Sequence, residues 1–167
     1  MLEQLPEPLN PPADVPRASL VLAAGAVTGA LANVWMGGAH SNVGRELDLA
    51  NLRRAVVIDC AGDMPAIYRE RAGRWFANVF LDLDSWPMHF DRLEAHVAEV
   101  AATLDHGGET LDIYAMCTHG MNRSGLAAGL LLRAFGIEGP EAVRLIRLAR
   151  PGALSNDTFR GIVAGTH

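Results

Sequence analysis

A chain of 167 residues, half of them hydrophobic and a fifth charged, is long enough to bury one sizeable core and is expected to form one compact soluble α/β domain. Its net charge of −5 argues against a broad nucleic-acid-binding face, because polyanion binding draws on surplus Lys and Arg, although a small basic pocket stays open. The two cysteines, Cys60 and Cys117, lie far apart and in no CxxC arrangement, which speaks against a disulfide scaffold or zinc knuckle and suits a reducing, cytoplasmic compartment.

Five of the nine prolines fall between Met1 and Pro16, so residues 1–17 are expected to form a flexible, extended arm ahead of a domain spanning 18–167. The apolar stretch Ser19 to Trp35 follows acidic, proline-rich sequence with Arg17 as its only basic residue. It is also broken by Gly25, Thr28, Gly29 and Asn33, so it reads as neither an export signal nor a membrane span.

Short β-type runs follow at Leu20 to Leu22 and Ala32 to Met36, then a polar helix candidate at Arg45 to Arg53 and a buried strand at Ala55 to Asp59. A further strand is expected at Trp75 to Leu83. Between Phe90 and Leu104 the apolar residues recur at spacings of three and four, which predicts an amphipathic helix ended by Gly107-Gly108. Leu111 to Met116 reads as a short apolar strand and Ser124 to Phe135 as a largely buried helix. Gly139-Pro140 open another helix, and Asn156 to Val163 suggests a last one. Strands alternating with helices early, and helices clustering late, predict a mostly parallel sheet covered by helices on both faces.

The chemistry concentrates between Leu111 and Leu126, where a strand runs into a seven-residue loop from Cys117 to Arg123 and then into a helix. Such a loop can turn successive backbone N–H groups inward, and the helix start adds partial positive charge, so a phosphate dianion fits. Thr118, His119, Gly120, Met121 and Asn122 form the cradle. Gly120 supplies backbone freedom, and Arg123 adds a planar fork for two phosphate oxygens. The same environment favours thiolate over thiol at Cys117, making it a nucleophile, and Ser124 can donate a hydrogen bond to that sulfur when it leaves.

Cys117-Thr-His-Gly-Met-Asn-Arg123-Ser124 resembles the CX5R signature loop of the protein tyrosine phosphatase superfamily, with the dual-specificity branch nearest in size. Val34-Trp-Met-Gly-Gly38 is similar to that branch's glycine-ended strand, and Arg150-Pro-Gly-Ala-Leu-Ser-Asn156-Asp-Thr-Phe159 to its closing segment. The resemblance covers most of the chain from about Asn33. It implies a four- to five-stranded sheet flanked by helices, a phosphocysteine intermediate, and neither metal nor other cofactor. Met116 is a departure, standing where the family usually has a His that helps fix the loop.

Protonating the leaving oxygen calls for a carboxylic acid upstream. Asp84, which opens the turn Asp84-Ser-Trp-Pro87 at the separation typical of the family's acid loop, is the choice over Asp82; a capping Asp is the bland alternative. Cys60, at the end of the Ala55 to Asp59 strand, is either a redox partner protecting Cys117 or a small buried hydrophobe. The six histidines show no paired metal-ligating spacing. Arg144, Arg147 and Arg150, at helical spacing, read as a solvated face or a row that greets phosphorylated substrate.

The expected function is dephosphorylation of phosphotyrosine, and of phosphoserine or phosphothreonine, in proteins or of small phosphoesters, with no stable nucleic-acid or membrane partner and the oligomeric state open. The alternatives are an RNA 5′-triphosphatase or lipid phosphatase of the same superfamily, or a phosphate-binding relative without turnover.

Overall fold

The computed structural model describes residues 18–27, 30–38, 55–63, 69–70, 72–104 and 108–166. The expected arm at 1–17 and helix at Arg45 to Arg53 lie outside these residues.

Five strands form one sheet: β1 (Ala18–Leu22), β2 (Ala32–Gly38), β3 (Ala55–Asp59), β4 (Arg74–Ala77) and β5 (Leu111–Cys117), in the order β1-β2-β5-β3-β4. Only β1 is antiparallel to its neighbour. From Ile113 onward central β5 is apolar on both faces, as a buried parallel strand must be. Ile113, Ala115 and Cys117 point into the main core, while Tyr114 and Met116 on the other face are fully buried too.

The described helices are α1 (Phe90–Thr103), α2 (Arg123–Ala134), α3 (Gly139–Ala149) and α4 (Asp157–Ala164). In α2 every residue from Ser124 to Leu132 is buried. It lies on β2 and β5 and is enclosed by α1, α3 and α4, which is why its sequence is apolar around the whole helix. In α1 only the stripe Leu93, Val97 and Val100 is buried, as expected for a helix with one face on the core. None of the described helices is long and apolar enough to cross a membrane.

The strand expected at Trp75 to Leu83 is shorter than its apolar pattern suggests, pairing with β3 only over Arg74–Ala77. Two more N–H groups, those of Asn78 and Phe80, reach the carbonyls of Asp59 and Cys60, after which the chain leaves the sheet. Val79, Leu81 and Leu83 are exposed while Phe80 is buried, so the alternation persists without a strand to pair with.

Register brings the carboxyl ends of three parallel strands together. Gly38 stands opposite Cys117 across β2 and β5, and Asp59 opposite Met116 across β3 and β5. Segments leaving this edge converge on one place, the usual position of a site in a parallel α/β sheet.

Candidate active site

Cys117 is the last residue of β5 and Arg123 the first of α2, so the intervening loop bridges strand end and helix start as the sequence predicts. Cys117 is 3% exposed. Its Sγ accepts the Gly120 N–H at 3.2 Å and lies 3.4 Å from Ser124 Oγ, to which the thiol donates. Gly120 has φ +73, and a Cβ there would lie 2.3 Å from the Gly37 carbonyl carbon. The loop therefore presses against the glycine end of β2, and both the turn and the close approach require a residue without a side chain.

Arg123 spans the loop and the chain beyond β4. Nη1 donates to the Phe80 carbonyl at 3.2 Å and Nη2 to Thr118 Oγ1 at 3.0 Å, while Nε is buried and makes no hydrogen bond. Thr118 in turn donates its hydroxyl to Asp63 Oδ2 at 2.8 Å, which ties the loop to the segment following β3. Asp63 is a participant that sequence spacing did not single out, since it follows no motif and reaches the loop only because β3 and β5 are neighbours.

The two acid candidates are held differently. Asp82 accepts from Asn122 Nδ2 at 3.0 Å through one oxygen and from Asn156 Nδ2 at 2.9 Å through the other, so it is fastened directly to the loop. Asp84 is exposed and accepts both the side-chain hydroxyl and the backbone N–H of Thr158, at 2.7 and 3.1 Å. The hydroxyl bond first, then the backbone bond, holds the Asp84 carboxyl below the ordinary carboxylate range. Asp84 thus sits over the first turn of α4, a helix whose N-cap is Asn156.

Asn156 joins these parts. Its Oδ1 caps α4 through Phe159 N–H, its Nδ2 donates to Asp82 and to the Leu83 carbonyl, and its own N–H donates to Asn122 Oδ1. The segment before α4 therefore clamps the 80–84 stretch against the Cys117–Arg123 loop. The resemblance of Arg150 to Phe159 to a closing segment pointed to this region without showing what it holds.

Cys60 extends the β3 register to stand beside Cys117, its N–H donating to the Met116 carbonyl at 2.8 Å. Both cysteines are free thiols. Burial pushes the Cys60 thiol well up, and negative charge on neighbouring Cys117 adds to the effect. Met116 points to the opposite face of β5 from Cys117 and is fully buried, so its side chain lies off the cup.

The row of arginines does not exist as a row. Arg144 pairs with Glu141 on the exposed face of α3 and Arg147 is exposed, whereas Arg150, the C-cap residue, turns inward and is 1% exposed.

The arrangement matches solved structures over nearly its whole length. A mouse protein of dual-specificity phosphatase type, complexed with zinc tungstate, superposes with a TM-score of 0.65 at 20% identity, covering 92% of this chain and 88% of that one. The fold is that of the dual-specificity phosphatases. Tk-PTP in its active form gives a TM-score of 0.61 at 17% identity over 90% of this chain and 96% of its own. Human DUSP28 gives 0.60 at 20% identity over 80% and 90%. No protein-family model and no curated protein matches the sequence.

Proposed function

We propose that the chain is a cysteine-dependent phosphatase that hydrolyses phosphomonoesters, with phosphotyrosine and phosphoserine or phosphothreonine in proteins as its substrate class. The observation that carries this reading is the convergence on one loop of a buried Cys117 sulfur, a Gly120 N–H aimed at it, the Ser124 hydroxyl, and an Arg123 with a buried, unbonded Nε. The tungstate in the mouse relative is a tetrahedral oxyanion, the shape this cup suits.

In the first step the Cys117 thiolate attacks phosphorus, the bond to the leaving oxygen breaks, and that oxygen takes a proton from Asp84. In the second, water attacks the phosphocysteine and gives its proton to Asp84. The sulfur then leaves as thiolate, stabilised by the Ser124 hydroxyl. Arg123 and the amides of Thr118, His119, Gly120, Met121 and Asn122 hold the transferring group. Asp82 is the competing acid, and its bond to Asn122 within the loop is the observation in its favour. Cys60 is proposed as a redox partner for Cys117, and two free thiols at the site suit a cytoplasmic setting.

The test is turnover of a small aryl phosphate across pH, with chelator present, by wild type, Cys117→Ser, Asp84→Asn and Asp82→Asn. The expected result is chelator-insensitive turnover, abolished by Cys117→Ser and reduced by the substitution that removes the acid. A wild-type protein that binds vanadate but turns over no faster than Cys117→Ser refutes the enzyme reading and leaves a phosphate-binding relative.

A further inference from the structure

A loop whose N–H groups point inward must point carbonyls outward, and each buried carbonyl needs a donor behind it. The segment after α3 supplies these donors. The Leu154 N–H donates to the Met121 carbonyl at 3.1 Å, from a fully buried leucine held at φ +55. Arg150 Nη2 donates to the His119 carbonyl at 3.2 Å, and its Nη1 is steadied by Ser19 Oγ on β1 at 3.1 Å.

The His119 carbonyl belongs to the same peptide unit as the Gly120 N–H. In a trans peptide these two groups point to opposite sides of a rigid plane. Arg150 grips one side and the Cys117 sulfur receives the other. The guanidinium thus fixes the rotation of that plane, and its charge polarises the amide, making the N–H a stronger donor.

We propose that Arg150 is a positioning residue that activates Cys117 through the His119–Gly120 peptide, without touching substrate. The inference rests on the phosphocysteine reading, because only a thiolate nucleophile gains from the polarised N–H. It gives a task to a buried charge which, by helical spacing, belonged to a surface row, and burying a charge is costly unless it is well bonded.

The test is the rate of Cys117 alkylation by iodoacetamide at pH 6 in the full-length protein. The modified cysteine is identified by peptide mapping and folding is followed by thermal unfolding. Arg150→Met is expected to slow alkylation about tenfold, the effect of losing one charge-assisted bond to the chain of donors. Arg150→Lys keeps the charge, but an ammonium lacks the planar fork that spans Ser19 and His119, so an intermediate loss is expected. Ser19→Ala leaves the His119 contact in place and should stay near the wild-type rate even if stability falls. Should Arg150→Met fail to fold, Arg150→Lys decides. Alkylation at the wild-type rate in folded Arg150 variants overturns the proposal and leaves Arg150 a structural prop. If wild-type Cys117 itself reacts no faster than an unfolded peptide thiol, the phosphatase reading fails, and this inference falls with it.

Discussion

Gly120→Ala tests whether the cup is built on a glycine that tolerates no side chain. The new Cβ would meet the Gly37 carbonyl carbon at 2.3 Å, Gly37 Cα at 2.6 Å and the Gly38 nitrogen at 2.7 Å. Carbon contacts normally settle at about 3.5–4.0 Å, so the backbone of β2 or of the loop must move by roughly 1 Å. Holding alanine at φ +73 costs about 1–2 kcal/mol and overpacking typically about 1–3 more, for a total of about 2–5 kcal/mol. Gly37 and Gly38 stand in register with Met116 and Cys117, so the displacement passes straight into the strand that ends at Cys117. Gly152→Ala is the control. It has φ +89, but its Cβ would meet only the flexible end of Met121, at 3.1 Å, so the cost is the backbone share alone. In a domain of this size each kcal/mol lowers Tm by about 2–4 °C. Thermal unfolding and calorimetric phosphate binding should therefore show a much larger Tm loss and collapsed binding in Gly120→Ala, with binding largely kept in Gly152→Ala. Equal Tm losses and wild-type phosphate affinity in both would refute the reasoning.

Two further outcomes follow from the site. Thr158 favours the ionised form of Asp84, so Thr158→Val should raise the Asp84 carboxyl toward its ordinary value and keep the acid protonated to higher pH. The alkaline limb of kcat for an aryl phosphate then moves up, whereas an unmoved limb assigns the acid to Asp82. Under peroxide, the Cys117 thiolate is oxidised to sulfenic acid, and the Cys60 thiol condenses with it to a disulfide with loss of water. Wild type should recover activity on adding a thiol reductant while Cys60→Ser, carried on to sulfinic acid, should not; equal recovery would make Cys60 a buried hydrophobe.

Much of the fold was legible because the pattern and the packing agree. The helix expected from Phe90 to Leu104 runs Phe90–Thr103, the strand expected at Leu111 to Met116 runs one residue further, and the helix expected at Ser124 to Phe135 starts and ends one residue earlier. The stretch after β4 was misread for a physical reason. Its alternation is a genuine β-pattern, but β3 ends at Asp59, so beyond the two bonds that Asn78 and Phe80 make to Asp59 and Cys60 there is no ladder left to join. Arg150 was misread because helical spacing assumes the helix continues, while its φ of −138 and ψ of 86 turn it off the face that Arg144 and Arg147 share. The bonds among Asp82, Asn122 and Asn156 join segments dozens of residues apart through short polar side chains, for which local sequence carries no signal.

Those bonds make the cup and the acid-bearing stretch one unit. Asn156 and Asn122 hold Asp82 between them, Thr158 holds Asp84, and all three holders belong to the loop or to the entry of α4. Arg123 closes the same circuit from the other side by gripping the Phe80 carbonyl, two residues before Asp82. A change that loosened the entry of α4 would release both carboxylates together and, through Asn122, slacken the phosphate cradle. A single-carboxylate substitution and an Asn156 substitution should therefore differ in kind. The first, made at Asp84, leaves anion affinity intact because that carboxylate is bonded to Thr158 and not to the loop; the second lowers anion affinity, because a polar network with one member missing leaves its other members unsatisfied.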